Sequence, residues 1–496
     1  MNAVLKESPT SIATLFQRLA AKAPQIAETT AEQRADKIRQ LLKATLEARP
    51  AIIAAAKKEL KLHDLDVDAQ LLMVKAEAEF AAKHVKAWMQ REKVQGTVMT
   101  VGKTSYVQYE PKGVVLNLAT WNAPIAIGFV PLIGAIAAGS TMVLKPSELA
   151  PHSAQVLVDI VIKVFAEDEF AVVQGGPEVA QELLRQPFNH IFYIGGHAVG
   201  RLVMKAAAEH FASVTLEMGG KNPTIVDKSA DLEDSARKIA WGRVANAGQV
   251  CLAPDYALVQ ESVLRPFVDA LSGQLTALYN SDGKGFDKSP YLPRIVNARH
   301  FERIKGLLDD AIAKGAKVES GGQTNAADLF IAPTVLSGMR PEMRIMQEEI
   351  FGPILCVLPF AQREDIVREI KTRPKPLGLY VFAKDREFID WVLTHTTSGS
   401  AVVNHNLIQS GTNPHLPFGG ANASGIGRLG GRFSFVECSN MRAVVEDGKG
   451  IGDPNIMFPP YSADYQKAIA WMLSKTLDIP NGMLNFIDRL VKLIRR

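Results

Sequence analysis

The chain has 496 residues, 47% of them hydrophobic and 22% charged, with a formal net charge of +4. That is more than one hydrophobic core holds, so two or more domains of an ordinary soluble globular protein are expected. Basic residues spread along the chain exclude a nucleic-acid face, and three cysteines without paired spacing exclude a disulfide scaffold or a metal site and fit a reducing, cytoplasmic setting.

The opening MNAVLKESPTSIATLF lacks a continuous apolar run and a small-residue cleavage site, so no signal peptide is expected. Helices follow: Thr29 and Glu32 have capping-box spacing, and apolar residues in ADKIRQLLKATLEARPAIIAAA recur at helical intervals. In KVQGTVMTVGKTSYVQYEPKG, β-branched runs around Gly102 predict a hairpin. From Trp121 to Leu144 no residue is charged, which is long enough to span a bilayer. Two internal prolines, Asn122 and the strand-like TMVLKP that follows favour a buried helix in an α/β layer instead.

The runs GVVLNLA, TMVLKP, FAVVQGG, HIFYIGG and SVTLEMGG alternate with helical stretches such as SAQVLVDIVIKVF and HAVGRLVMKAAAEH. That is a βαβ series and predicts a parallel sheet covered on both faces, with ligands at the carboxyl ends of its strands. The second half repeats the alternation more loosely, with NPTIVDK, PLGLYVFAK and SAVVNHN as strands and SVLRPFVDALSGQLTALY and ARHFERIKGLLDDAIAKG as helices. Beyond about residue 445 the chain changes to MFPPY, a helix-compatible DYQKAIAWMLSK and a terminal LNFIDRLVKLIRR.

Several residues carry possible chemistry, each beside a plainer reading. In NAGQVCLAPD, Cys251 is either a small buried hydrophobe or a nucleophile. Gly195, Gly196 and Gly200 stand where HIFYI hands over to a helix; they either let a phosphate approach the helix N-terminus or simply permit a tight turn. Lys145 and Glu148 in LKPSE can reach a ribose, or form a solvated pair. Glu217, closing an apolar strand before two glycines, is a desolvated base or a carboxylate satisfied by backbone amides. Asn122 either donates to an oxyanion or caps the next helix.

Together NAGQVCLAPD, TLEMGGKNP, TWNAP, LKPSE, EEIFGP and LPFGGANASGIG resemble, in content and order, the aldehyde dehydrogenase superfamily over residues 30 to 445. The NAGQVC-x-APDY form and HLPFGG resemble its class 3-like branch. The resemblance implies an α/β fold with a doubly wound NAD(P)-binding domain over residues 1–217, from which the 93–111 hairpin leaves. It further implies a catalytic α/β domain over 218–435, a β oligomerisation strand over 436–448 that joins the hairpin as an arm, and a tail over 449–496.

It also implies NAD(P)+-dependent oxidation of an aldehyde to the carboxylic acid. Cys251 would attack the carbonyl, Asn122 and the Cys251 N–H would hold the oxyanion, and Glu217 would activate the hydrolytic water. Lys145 and Glu148 would meet the adenosine ribose, Glu349 and Phe351 the nicotinamide ribose and ring, and Gly195, Gly196 and Gly200 the pyrophosphate turn. Small neighbours such as Ala247 and Gly248 would let cofactor and substrate crowd the thiol.

Two departures from the family pattern are visible. Ile194 and Gly196 stand where Thr and Ser are usual, which predicts weaker cofactor binding. Ala123 stands where many relatives carry a large aromatic, which predicts a wide channel for aromatic or long-chain aldehydes. NAD is the expected cofactor, with some NADP use, because Glu148 repels a 2′-phosphate while Lys145 attracts one. The expected partners are a small-molecule aldehyde and a second copy of the chain in a homodimer, with no nucleic acid. The terminal amphipathic helix, with Leu484, Ile487, Leu490, Val491 and Ile494 on one face, packs on a neighbouring subunit or lies on a membrane, and packing is favoured. His405 and His415 are expected to be structural. A CoA-acylating aldehyde dehydrogenase and a cofactor-free cysteine hydrolase are the alternatives.

Overall fold

The computed structural model describes residues 11–97, 100, 103–409, 411–447 and 459–474. Helices Ile12–Ala27, Ala31–Glu47, Arg49–Leu60 and Asp64–Trp88 open the chain. The capping box lies one residue later than expected. Thr30 accepts from the Gln33 N–H, and Gln33 accepts in return from the Thr30 N–H. Thr29 is committed to the end of the preceding helix: it donates to Ile26 O at 2.5 Å and accepts from the Arg34 guanidinium at 3.0 Å.

A six-stranded sheet is ordered Gly425–Ile426, Ser213–Met218, His190–Gly195, Val114–Leu118, Thr141–Lys145, Phe170–Val172. Its pairs are parallel apart from Gly425–Ile426, which runs antiparallel to Ser213–Met218 and sets Gly425 opposite Glu217. The uncharged stretch supplies the crossover helix Pro124–Ala138, buried along almost its whole length. Pro124 sits in its first turn, where a missing N–H costs nothing. Among the described residues no helix is long and apolar enough to cross a membrane.

A seven-stranded sheet is ordered Lys317–Ser320, Thr334–Ser337, Ile354–Phe360, Tyr256–Gln260, Pro223–Val226, Gly378–Phe382, Ser400–Val403. Only its first pair is antiparallel. Apolar clusters cover both of its faces, around Phe301, Ile304 and Ile354 on one and Phe267, Tyr380 and Phe382 on the other. Such double covering is why these strands are apolar throughout rather than alternating.

The chain divides into two compact units, Met1–Val85 with Pro111–Cys438, and Lys86–Glu110 with Ser439–Arg496. Both large sheets belong to the first. In the second, Glu92–Lys93 pairs antiparallel with Lys103–Pro111, which is hydrogen-bonded to Ser439–Asp447. Arg442 bridges Glu110 at 2.8 Å, and the Tyr106 hydroxyl donates to Glu446 at 2.8 Å. A helix spans Ala463–Leu473. Gly102 and the amphipathic segment 484–496 lie outside the described residues.

Candidate active site

Cys251 owes its position to an unusual piece of backbone. Past the helix Leu232–Val244, Asn246 (φ 51°, ψ 35°), Ala247 (φ 54°, ψ 34°) and Gly248 (φ 73°) are all left-handed. Each non-glycine residue there costs about 1–3 kcal/mol, so its surroundings must enforce it. Asn246 donates to Asn122 O at 3.0 Å and to Gln249 O at 3.2 Å. Buried Gln249 donates to Asn246 O and Arg294 O, both at 3.0 Å. The buried Arg243 guanidinium donates to Pro254 O at 2.7 Å, Gly248 O at 3.1 Å, and Gly352 O.

The small residues do not serve the purpose expected of them. A Cβ on Gly248 would lie 2.2 Å from the Gly352 carbonyl oxygen, and Ala247 is buried in the core. Their smallness lets the loop pack on EEIFGP; it does not open room for ligands.

Below the thiol, Asn222 donates to Cys251 O at 2.7 Å and Ala253 O at 3.1 Å, and accepts from Gly378 N at 2.8 Å. Buried Asp255 pairs with buried Lys221 and accepts from Ile350 N at 2.9 Å. Lys221 also donates to Ile345 O at 2.8 Å and Glu348 O at 3.1 Å. The Cys251 loop is thereby bolted to the segment carrying Glu349 and Phe351. Sequence reasoning missed Lys221, Asn222, Arg243 and Asp255. The first two and the last stand inside the motifs GGKNP and APDY, and their signal was two opposite charges in otherwise apolar company.

Glu217, 3% exposed, sits at the end of Ser213–Met218 and lines both cavities beside Cys251, close enough for each group to shift the other's pKa. Burial raises its pKa to about 7, which Cys251 partly opposes. Burial first, then Glu217, push the thiol well above its usual range, against a favourable Leu252 N–H. Both shifts favour the protonated forms, so forming the thiolate needs a base and Glu217 acts as one only as pH rises through about 7. Glu217 Oε1 is buried without a partner, an acceptor open to a water proton. The LPFGGANASGIG segment fixes this strand from outside: Met218 N donates to Ser424 O at 3.0 Å, and a Cβ on Gly425 would lie 2.3 Å from Leu216 O.

Asn122, 7% exposed, does not cap the following helix, whose cap residue is Ala123. One amide N–H goes to Gln249 O at 3.0 Å, which leaves the second free to donate to an incoming oxygen.

Two cavities meet at Cys251. One, of ≈ 330 Å³, is lined by Gly195, Gly196, Glu349 and Phe351. The other, of ≈ 310 Å³ and largely apolar, runs past Ala123, Ile127, Val130, Trp241 and Phe418. Asn122, Ile194, Glu217 and Cys251 line both. In the first, a Cβ on Gly219 would lie 2.1 Å from Glu349, so that glycine makes the carboxylate's seat. Burial and the charge of Asp255 raise Glu349 to about 8. Phe351, left-handed at φ 47°, meets Trp121 edge-on at 5.7 Å. Lys145 bridges Glu148 at 2.9 Å; burial opposes ionisation of that carboxyl, but its own N–H and Lys145 hold it below the usual range. Lys145 and Glu148 do not line the cleft beside Cys251 itself.

Gly196 has open space where a Cβ would stand, while Gly200 is buried with Met218 Sδ only 2.6 Å from such a carbon. Neither expected reading suits Gly200: it lies inside helix His197–Glu209, where its lack of a side chain lets the helix approach the sheet. Sequence reasoning also missed Trp121, His300 and Arg303, which line the first cleft. Burial lowers His300 to about 4, and it faces Trp121 at 5.6 Å. Its helix arrives from the second sheet, so no local pattern marks it. Of the other histidines, His405 bonds the Asn406 backbone and faces Trp241, and His415 packs edge-on against Phe80.

The profile of the aldehyde dehydrogenase family matches residues 4–444. The chain is 39% identical over 405 residues to mouse aldehyde dehydrogenase family 3 member B3, covering 82% of this chain and 83% of that one. A substrate-bound AldH of Staphylococcus aureus superposes with a TM-score of 0.87 at 34% identity, covering 93% of this chain and all of that one. Betaine aldehyde dehydrogenase of the same organism, solved with NAD+, superposes at 0.80 with 25% identity, covering 90% and 91%.

Proposed function

The chain belongs to the aldehyde dehydrogenase family, and on that premise we propose that it oxidises aromatic or medium- to long-chain aldehydes to acids with NAD+, and with NADP+ to a lesser extent. The observation that carries this reading is buried Glu217 beside Cys251 where a glycine-lined cleft meets an apolar channel. We further propose residues 1–217 as the nucleotide-binding part, 218–435 as the catalytic part, and segments 93–111 and 436–448, the latter carrying strand Ser439–Asp447, as the arm of a homodimer.

The cleft's residues suit a dinucleotide. Gly196 leaves the backbone of the helix start open to phosphate, Gly195 lines the same cleft, Gly219 seats Glu349 for ribose hydroxyls, and Phe351 offers a flat apolar wall. Lys145 and Glu148 fit the second ribose. When bound, the nicotinamide supplies the acceptor for the substrate's hydride.

The chain's own groups do the rest. Glu217 takes the Cys251 proton, and the thiolate adds to the aldehyde carbon. The Asn122 amide and the Cys251 N–H hold the alkoxide so formed. After oxidation the substrate is a thioester on Cys251. Glu217, having passed the thiol's proton to solvent, then takes a proton from water as the water oxygen attacks the acyl carbon; the C–S bond breaks, the acid leaves and Glu217 returns the proton to the sulfur. A carboxylate in this position supports hydrolysis over transfer to CoA. His300 faces Trp121 while Glu217 lies beside the thiol, which speaks against a Cys–His hydrolase. Ala123 on the channel wall supports bulky substrates.

The test is NADH formation without CoA from benzaldehyde, coniferyl aldehyde, decanal and acetaldehyde. Turnover is expected with the first three at higher kcat/KM than with acetaldehyde, and none with Cys251→Ala. Acetaldehyde as the best substrate would refute the channel assignment, and turnover only with CoA would refute the role of Glu217.

A further inference from the structure

The apolar channel has one wall that takes no part in the chemistry at Cys251. Helix Asp64–Trp88 sends Asp66, Gln70, Met73 and Glu77 to it, spaced as one helical face. The opposing wall, with Ile127, Val130, Leu407 and Phe418, is apolar. The polar strip carries two acids, and Glu217 adds a third at the inner end. Among the described residues lining this channel there is no lysine, arginine or histidine, whereas the cofactor cleft contains Arg303 and His300.

The channel also holds unfilled acceptors. Gln70 Oε1 and Asn246 Oδ1 are buried without partners. Glu77, 6% exposed, is held by the Gly431 N–H at 2.8 and 2.9 Å, and among the described residues no cation pairs with it. Burial raises Glu77 to about 7 and raises Asp66, with His63 opposing from outside the channel lining. A carboxylate or phosphate entering here would lose its water and meet only acids, amides and hydrocarbon. A hydroxyl would bring the donor that the orphaned oxygens lack.

We propose that this strip selects the far end of the substrate: the channel takes aldehydes whose distal end is uncharged, favours those ending in a hydroxyl, and rejects those ending in a carboxylate or phosphate. The inference rests on aldehyde oxidation at Cys251 and adds the substrate's tail chemistry. Asp66 marks the acid nearest the exposed end, Gln70 the acceptor that a hydroxyl partners, and Met73 and the opposing wall the apolar passage between.

The experiment compares kcat/KM for decanal, ω-hydroxydecanal and the ω-carboxylate aldehyde of equal length, in the full chain with NAD+. The hydroxy compound is expected to exceed decanal about three- to tenfold, and the carboxylate to fall at least about tenfold below it. Gln70→Leu is expected to bring the hydroxy-to-alkyl ratio to about one, and Asp66→Lys to raise the carboxylate-to-alkyl ratio. The same three compounds are ranked independently by protection of Cys251 against iodoacetamide, a readout needing no turnover. A carboxylate tail matching or beating decanal overturns the inference, as does a hydroxy preference that survives Gln70→Leu. Protection in the expected order without NADH from any aldehyde would overturn the oxidation reading and leave the tail selectivity standing.

Discussion

The two cavities that meet at Cys251 are built in opposite ways. The cofactor cleft takes its walls from short segments at strand ends and turns, Gly195–Gly196, Gly219 and Glu349–Phe351, each inside a recognisable motif. The substrate channel draws single side chains from the helix Asp64–Trp88, the helix Pro124–Ala138, the Trp241 region and the loop around Phe418. A phosphate or ribose is bound by backbone and a few fixed atoms, so local sequence carries the information. A hydrocarbon tail is bound by shape, which depends on how distant elements pack.

Substitutions at the junction should damage both functions, and those on one side only one. The largest expected effect is Cys251→Ala: NADH formation falls at least about a thousandfold, roughly 4 kcal/mol in the barrier, while equilibrium binding of NAD+ stays within about twofold.

Lys221→Met should be nearly as costly, but in stability. It leaves buried Asp255 with only Arg243 at 3.9 Å and the Ile350 N–H, and breaking such a buried pair costs up to about 3–5 kcal/mol. Denaturant unfolding measures it, and a midpoint unchanged from wild type would show that the bolt beneath both cavities is dispensable.

Glu217→Gln should lower steady-state kcat about a hundredfold or more and slow the single-turnover burst of NADH without removing its amplitude, because thiol deprotonation and water activation both lose their base. Wild-type activity should fall as pH drops through about 7, where Glu217 takes up its proton, and that limb should vanish in the variant. The stability sign is opposite. A carboxyl raised from 4.5 to about 7 stabilises the fold only below its unfolded pKa, and that contribution is lost as pH rises to about 7. The variant should therefore be more stable than wild type at pH ~8, by about 1–3 kcal/mol, and no more stable at pH ~4.

The smallest effects separate the cavities. Ala123→Phe should lower kcat/KM for coniferyl aldehyde about tenfold, with acetaldehyde and NAD+ affinity little changed. Gly196→Ser, which meets open space, should tighten NAD+ a few-fold through one added hydrogen bond and leave the aldehyde ranking alone. An unchanged dissociation constant would show that the missing hydroxyl costs no cofactor affinity.

Taken alone, the sequence determined the alternating βαβ layers and the strands ending at Lys145, Gly195 and Met218, and it singled out Cys251 and Glu217 as candidates. Those rest on local periodicity and on motifs whose chemistry is contained in a few adjacent residues. Tertiary structure decided the rest. It assigned Gly200 to packing on Met218 and gave Gly248's space to the Gly352 carbonyl, since a glycine's neighbours across space leave no mark beside it in the chain. It also brought His300 and Arg303 to the cofactor cleft and Asp66, Gln70 and Glu77 to the substrate channel. Those side chains act through where helices dock, and docking is set by the packing of whole elements rather than by any stretch short enough to read.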